Sequence, residues 1–130
     1  MNFILQLHGD VRWLVALAAL LTIIKYAVGL LGKTSYQRID RTLFSITMGL
    51  FDLNLVLGLI LLVGLGGGLP ANRLEHAVTM ILAVAVMHSS ARWRKSGSSA
   101  AKFRNGLLTV LVALVLVFVG VTRLRGGWMF

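Results

Sequence analysis

Four long apolar runs, separated by short polar segments, constrain this sequence more than any other feature. They cover about residues 12–31, 43–65, 73–91 and 104–122. A helix needs roughly 20 apolar residues to cross a hydrocarbon core about 30 Å thick, and each run is about that long. Because backbone groups in lipid must be hydrogen-bonded within their own segment, each run is predicted to be helical. The predicted fold class is therefore all-α, an integral membrane four-helix bundle in a single domain over residues 1–130.

The composition narrows the classes of function. Hydrophobic residues make up 58% of the chain, and the mean hydropathy is +0.87, too high for a soluble domain of this length. The absence of cysteine excludes disulfides, thiolate-bound iron–sulfur clusters and the C-x-x-C-H attachment of c-type haem. A net charge of +9 would suggest nucleic acid in a soluble protein. Here most basic residues flank the apolar runs, so membrane lipids are the predicted partners and nucleic acid is not.

Basic residues also predict the orientation of the bundle. With four spans, both termini lie on one side of the membrane, together with the loop between the second and third spans. The basic residues of that side are Arg12, Arg73, Arg123 and Arg125. Those of the two opposite loops are Lys33, Arg38, Arg41, Arg92, Arg94, Lys95, Lys102 and Arg104. Since cytoplasmic loops are enriched in Lys and Arg, both termini are predicted on the outer, periplasmic side of a bacterial inner membrane.

Two histidines are predicted to meet at one depth of the bundle. His8 lies at the outer start of the first span, and His76 lies at the outer start of the third. His88, at the inner end of the third span, is about 18 Å from His76 along the axis, so those two cannot share one metal ion. Imidazoles from two helices at one depth can hold a haem iron in a bundle core. His8 and His76 are therefore the candidate axial ligands of a haem b.

Neighbouring residues suit the same cofactor. Arg12 follows His8 by one helical turn and Arg73 precedes His76, so both guanidinium groups could neutralise haem propionates. Small side chains and a methionine on the same helix faces leave room for a flat macrocycle: Ala16, Ala19, Thr79, Met80 and Ala83. The alternative is structural, because a histidine at a helix end is often simply hydrated in the headgroup region. His88 has no histidine partner at its depth and could ligate alone, meet its copy in a dimer or lie at the inner interface.

Two ionisable residues inside the spans form a separate prediction. Asp52 lies near the middle of the second span, and Lys25 lies toward the inner end of the first. From the rise per residue they differ by only about 5 Å in depth. A structural ion pair between Lys25 and Asp52 is predicted, because a lone charge in the bilayer is costly. The alternatives are a proton or ion relay, or a Lys25 side chain that extends to the inner surface.

Several short motifs together resemble a known family of bacterial membrane proteins. They are His8-x-x-x-Arg12-Trp13-Leu14-Val15, Asp52-Leu53 with Gly58, Glu75-His76 with Met80, His88, and Ala101-Lys102-Phe103-Arg104. The family comprises short four-helix proteins often labelled "cytochrome B", and the resemblance covers most of the chain. It implies a b-type haem held by His8, His76 or His88.

These observations predict a haem b-binding electron-transfer protein, or a small accessory subunit of a larger respiratory or photosynthetic membrane complex. A quinol or a periplasmic electron carrier is the candidate redox partner, and the chain is not expected to be an enzyme by itself. One alternative is a cofactor-free structural subunit, and another is a variant with a bacteriochlorophyll on one histidine. A small transporter or proton channel ranks last, since only Lys25 and Asp52 support it.

Overall fold

The computed structural model describes residues 2–64, 71–93 and 97–125, without the side chains of 71–72 and 122–125. Its elements are α1 (Asn2–Leu31), α2 (Arg38–Gly64), α3 (Ala71–His88), a 3₁₀ helix (Ser89–Arg92) and α4 (Ser99–Arg125). Each helix packs against its neighbour in the chain, and α4 packs back against α1, which closes a four-helix bundle. The predicted all-α class is confirmed for the described part of the chain.

All four α-helices are long and apolar enough to cross a membrane. Their outward faces carry large exposed apolar side chains, among them Leu17, Val28, Ile46, Val78 and Val115. A soluble bundle would bury such faces, whereas lipid solvates them at no cost. These are the features of a multi-pass membrane protein.

The helices begin earlier than the predicted spans. Helix α1 starts at Asn2 and α2 starts at Arg38. The spans were predicted from runs of apolar residues, and these runs end where the headgroup region begins. The hydrogen bonding of a helix does not end there, because it continues into the polar residues that flank the run. The predicted end of the first span at residue 31 agrees with the end of α1 at Leu31. The glycine-rich turn expected at residues 66–70 lies outside the described residues.

The turn from α1 into α2 is built from backbone hydrogen bonds. The Thr34 amide donates to the Gly29 carbonyl at 3.1 Å, and the Lys33 amide donates to Leu30 at 3.4 Å. Lys33 adopts a φ of 55°, the left-handed conformation that this type of helix end requires. Helix α2 then begins with the Gln37 amide donating to the Asp40 carboxylate at 2.9 Å. The turn is therefore held at both ends, which fixes how α1 and α2 pair.

A buried aromatic cluster joins the helices next to this turn. Tyr26 lies at its centre, packed edge-on against Phe103 with 5.4 Å between ring centroids and stacked on Phe44 at 6.1 Å. Tyr36 contacts Phe103 at 5.1 Å, and Trp93 contacts Phe44 at 5.4 Å. Trp93 therefore packs into this cluster. Side chains from α1, α2, α4 and two loops thus hold this end of the bundle together.

The predicted ion pair between Lys25 and Asp52 is wrong, because Lys25 pairs with Asp40. The Lys25 Nζ atom lies 2.6 Å from Asp40 Oδ1, and Asp40 is buried. Helix α2 starts at Arg38 rather than near residue 43, which places Asp52 about 21 Å into the helix instead of about 13 Å. Lys25 is only about 9 Å from the end of α1, so its long stem reaches back toward the nearer carboxylate.

Replacement of Asp40 by asparagine is expected to destabilise the bundle by about 1–2 kcal/mol, because charge-assisted bonds to Lys25 and to the Gln37 amide weaken. Unfolding of the purified protein in detergent micelles measures this difference. Asp52→Asn is the matched control and should cost less, since the Asp52 side chain is 40% exposed whereas that of Asp40 is 1% exposed. A larger cost for Asp52→Asn than for Asp40→Asn would contradict this assignment.

Candidate functional site

A cavity of about 220 Å³ lies among the four helices near the starts of α1 and α3. Most of its wall is apolar, but five polar side chains converge on it: His8, Arg12, Asn54, Arg73 and His76. The cavity is open on one side. An apolar pocket with a few convergent polar groups is the usual form of a ligand site, so this cavity is the candidate functional site.

His8 projects from α1 toward α2. Its ring lies against Gly58, where an added Cβ would be 3.1 Å from His8 Cε1. The missing side chain at Gly58 therefore makes room for the imidazole. The His8 Nδ1 and the Asn54 Oδ1 are both buried, and neither makes a hydrogen bond of good geometry among the described residues, although the Asn54 amide lies close enough to the His8 ring to interact with it. Buried polar atoms are nearly always bonded, so a bound ligand or water would complete the bonding of these two groups.

The His76 ring is oriented by a contact with the backbone of α4. Its Nδ1 lies 3.1 Å from the Gly120 carbonyl oxygen, which can only accept a hydrogen bond, so Nδ1 carries the proton. In the neutral ring the lone pair is then on Nε2. Metal-binding histidines commonly donate their second ring nitrogen to a carbonyl in this way, which sets both the tautomer and the ring angle.

Gly120 lets α3 and α4 approach closely enough for this contact. A side chain there would collide with Thr79 and Met80. The Thr79 hydroxyl also donates to the His76 carbonyl at 2.8 Å. The backbone on both sides of the imidazole is therefore held by close packing.

The two arginines occupy the positions expected from helical spacing. Arg12 is one turn beyond His8 on α1, and Arg73 is about one turn before His76 on α3; both line the cavity. Ala16, Met80 and Ala83 line it too, whereas the other two residues expected on this surface, Ala19 and Thr79, do not. The cavity thus has two imidazoles and two guanidinium groups on an otherwise apolar wall.

His88 is not part of this site. Its Nε2 lies 2.8 and 2.9 Å from the two carboxylate oxygens of Asp52, and the His88 side chain is 51% exposed. It does not line the cavity with His8 and His76. The suggestion that His88 binds the cofactor together with the other histidines is therefore not supported by its position. The histidine–carboxylate pair instead joins the end of α3 to the middle of α2.

The sequence did not predict Asn54 or Gly58 of α2 as part of the histidine site, although both line the cavity. Their spacing of four residues puts them on one face of α2, one turn apart. That face is the one opposite His8. The available signal was a polar residue and a glycine four residues apart within an apolar span. The spacing alone could not show which helix packs against this face of α2.

The chain matches no family model, no curated protein and no solved structure. The resemblance to four-helix cytochrome B proteins therefore stays a prediction. Inference about function consequently depends on the chemistry of the cavity. The polar side chains described there offer imidazole nitrogens and guanidinium hydrogen-bond donors.

Proposed function

We propose that this protein binds a b-type haem between α1 and α3 and serves as a membrane electron-transfer protein or as the haem-carrying accessory subunit of a respiratory or photosynthetic complex. The observation that carries the proposal is the presence of His8 and His76 in one cavity of the bundle. When bound, haem supplies reversible one-electron chemistry at its iron. The chain's own residues would bind the cofactor, orient it and restrict water around it.

The donor set fits haem better than a bare metal ion. Within the described residues, no three His, Cys, Asp or Glu side chains come together as a metal site. A free Zn²⁺ or similar ion needs about four ligands, of which at least three usually come from protein. A porphyrin supplies four nitrogens of its own, so two imidazoles from the protein would be enough to hold its iron. His8 and His76 meet this smaller requirement.

The remaining polar groups have roles in the same scheme. Because His76 Nδ1 donates to the Gly120 carbonyl, Nε2 is the atom of this ring that would bind iron. Arg12 and Arg73 would hold the propionates by charge-assisted hydrogen bonds. At about 220 Å³ the cavity is smaller than the roughly 300–1,000 Å³ of typical small-molecule sites, and its open side lets a larger ligand extend beyond the walls.

The proposed setting is the bacterial inner membrane, with both termini on the periplasmic side. The cavity lies near the starts of α1 and α3, which is the periplasmic end in this orientation. A quinol in the membrane or a periplasmic electron carrier would then be the redox partner. Basic side chains at the opposite end of the bundle support the orientation, because they favour the cytoplasmic face.

The test is optical. The purified full-length protein, expressed with haem supplementation, is expected to show the α-band of a b-type cytochrome in a reduced-minus-oxidised spectrum. A pyridine haemochrome assay should then give about one haem per chain, as two axial imidazoles at one iron require. Protein that is folded and monodisperse but colourless under these conditions would overturn the haem proposal.

A cofactor-free structural subunit is the second candidate, supported by an unpartnered aliphatic face of α4. The exposed residues on this face include Leu108, Leu111, Val112 and Val115. Such a face could dock on a larger membrane complex by packing alone. Co-purification of the colourless chain with that complex would favour this candidate. The bacteriochlorophyll variant needs only one histidine. Extraction and identification of the bound pigment would distinguish it from the haem protein and from the cofactor-free subunit. A transporter has lost its main support, because Lys25 and Asp52 do not pair.

A further inference from the structure

A second cavity, of about 190 Å³, lies at the opposite end of the bundle from His8 and His76. It is bounded by the α1–α2 turn, the first turn of α2 and the first turn of α4. The residues that line it are Tyr36, Gln37, Arg38, Arg41 and Lys102. Three of these five side chains are cationic and none is acidic.

The three cations have no anionic partner in the described part of the chain. Two ion pairs of the described residues join Lys25 to Asp40 and His88 to Asp52, and neither of them includes Arg38, Arg41 or Lys102. Asp40 is the carboxylate nearest in sequence, but it is buried and bonded to Lys25 and to the Gln37 amide. Like charges that converge without a counterion repel one another, and an anion placed among them removes that repulsion.

The geometry of this basic pocket is set before any ligand binds. The Tyr36 amide donates to Ser99 Oγ at 2.8 Å, which ties the α1–α2 turn to the start of α4. Ser98 Oγ accepts from the Ala101 amide at 3.1 Å and caps α4. Lys102 follows on that first turn, with its Nζ 5.5 Å from the centroid of the Tyr36 ring. The α1–α2 turn and the start of α4, which are distant in sequence, are thereby held next to each other around one cavity.

The start of α2 adds to the positive potential. Arg38 and Arg41 lie in the first turn of a 27-residue helix, where backbone amide groups and the helix dipole favour an anion. Guanidinium groups match the several oxygens of a phosphate and can bind two of them at once. The combination of two arginines, one lysine and a helix start therefore suits a phosphate group better than a single carboxylate.

We propose that this pocket binds the phosphate group of an anionic phospholipid. The pocket lies at the end of helices long enough to span a membrane, at the level where headgroups are found. Exposed apolar side chains lie beside it, with Leu31 83% exposed and Ile39 64% exposed, which suits the acyl chains of a lipid. A free phosphate ion would use the same cations but not these apolar neighbours. The site is independent of the histidine cavity and of the proposed haem.

Native mass spectrometry of the full-length protein, released from micelles that contain phosphatidylglycerol or phosphatidylcholine, tests the proposal. Saturable binding of about one phosphatidylglycerol per chain is expected, and the double variant Arg38→Gln/Arg41→Gln should weaken it about tenfold or more. Lys102→Met should weaken it as well. The control Arg92→Gln/Arg104→Gln removes the same charge from exposed positions outside the pocket and should leave the affinity unchanged.

Three outcomes decide the matter. Competition by millimolar inorganic phosphate, with equal binding of the ion alone, would support phosphate recognition but assign the free ion as ligand. Equal loss in the pocket and control double variants would overturn the site, because the binding would then depend only on net charge. Equal binding of phosphatidylcholine and phosphatidylglycerol by the unaltered protein would overturn it too. The elution profile and helical content of each variant show that a loss of binding is not a loss of folding.

Discussion

Replacement of either His8 or His76 by alanine is expected to remove the haem absorbance of the protein, whereas His88→Ala should leave it intact. The first two imidazoles line one cavity, while His88 pairs with Asp52 outside it. Either substitution would leave the cavity with a single histidine, which would no longer hold the cofactor from both α1 and α3. Reduced-minus-oxidised spectra and haem content per chain measure the outcome for all three variants.

A further measurement separates a ligand from a merely structural histidine. Free imidazole added to His76→Ala during haem loading should restore much of the α-band, because the truncated side chain leaves a space next to the iron position. The same addition should do nothing for the His88→Ala protein, which retains its haem. Loss of haem on His88→Ala together with retention on His8→Ala would contradict the proposed ligands. Thermal unfolding of each variant checks that the bundle still forms.

The largest expected effect on stability is at Gly106. An alanine Cβ at this position would lie 2.6 Å from Tyr26 Cδ2 and 3.2 Å from Trp93 Cη2. Tyr26 is fully buried and hydrogen-bonded to the Asp40 carbonyl at 2.7 Å, so its ring cannot move aside cheaply. Gly106→Ala is expected to destabilise the bundle by about 2–3 kcal/mol through overpacking. Unfolding in micelles, followed by circular dichroism, measures the change in free energy.

Gly49→Ala is the matched control for this prediction. Gly49 also lies inside a helix, but an added Cβ there meets no atom within 4 Å. Without a clash, the substitution should stabilise the protein by about 0.5–1 kcal/mol, because alanine favours the helix over glycine. Equal effects of the two substitutions would show that helix propensity, rather than contact with Tyr26 and Trp93, controls the result at Gly106.

The sequence predicted the positions of the helices along the chain better than it predicted the side-chain contacts between them. The number of spans and the end of α1 followed from apolar run length, because the bilayer sets a minimum length for each crossing. The shared depth of His8 and His76 followed from helical rise and antiparallel topology. By contrast, Lys25 was assigned to the wrong carboxylate, since a five-residue error in the start of α2 shifts the expected depth of Asp52 by about 7.5 Å. The depth of a residue in the bundle can be counted along the chain only as accurately as the ends of its helix are known.

The sequence by itself determined the all-α class, the membrane-spanning lengths and the level at which two histidines stand, because these depend on local hydrophobicity and on the regular rise of a helix. Only the tertiary structure decided that Gly120 orients His76, that Gly58 makes room for His8 and that Asp52 takes His88 as its partner. Those contacts depend on how each helix is rotated about its axis. In a lipid environment that rotation is set by packing between whole helices, and helices that are apolar on every side carry little local signal of it.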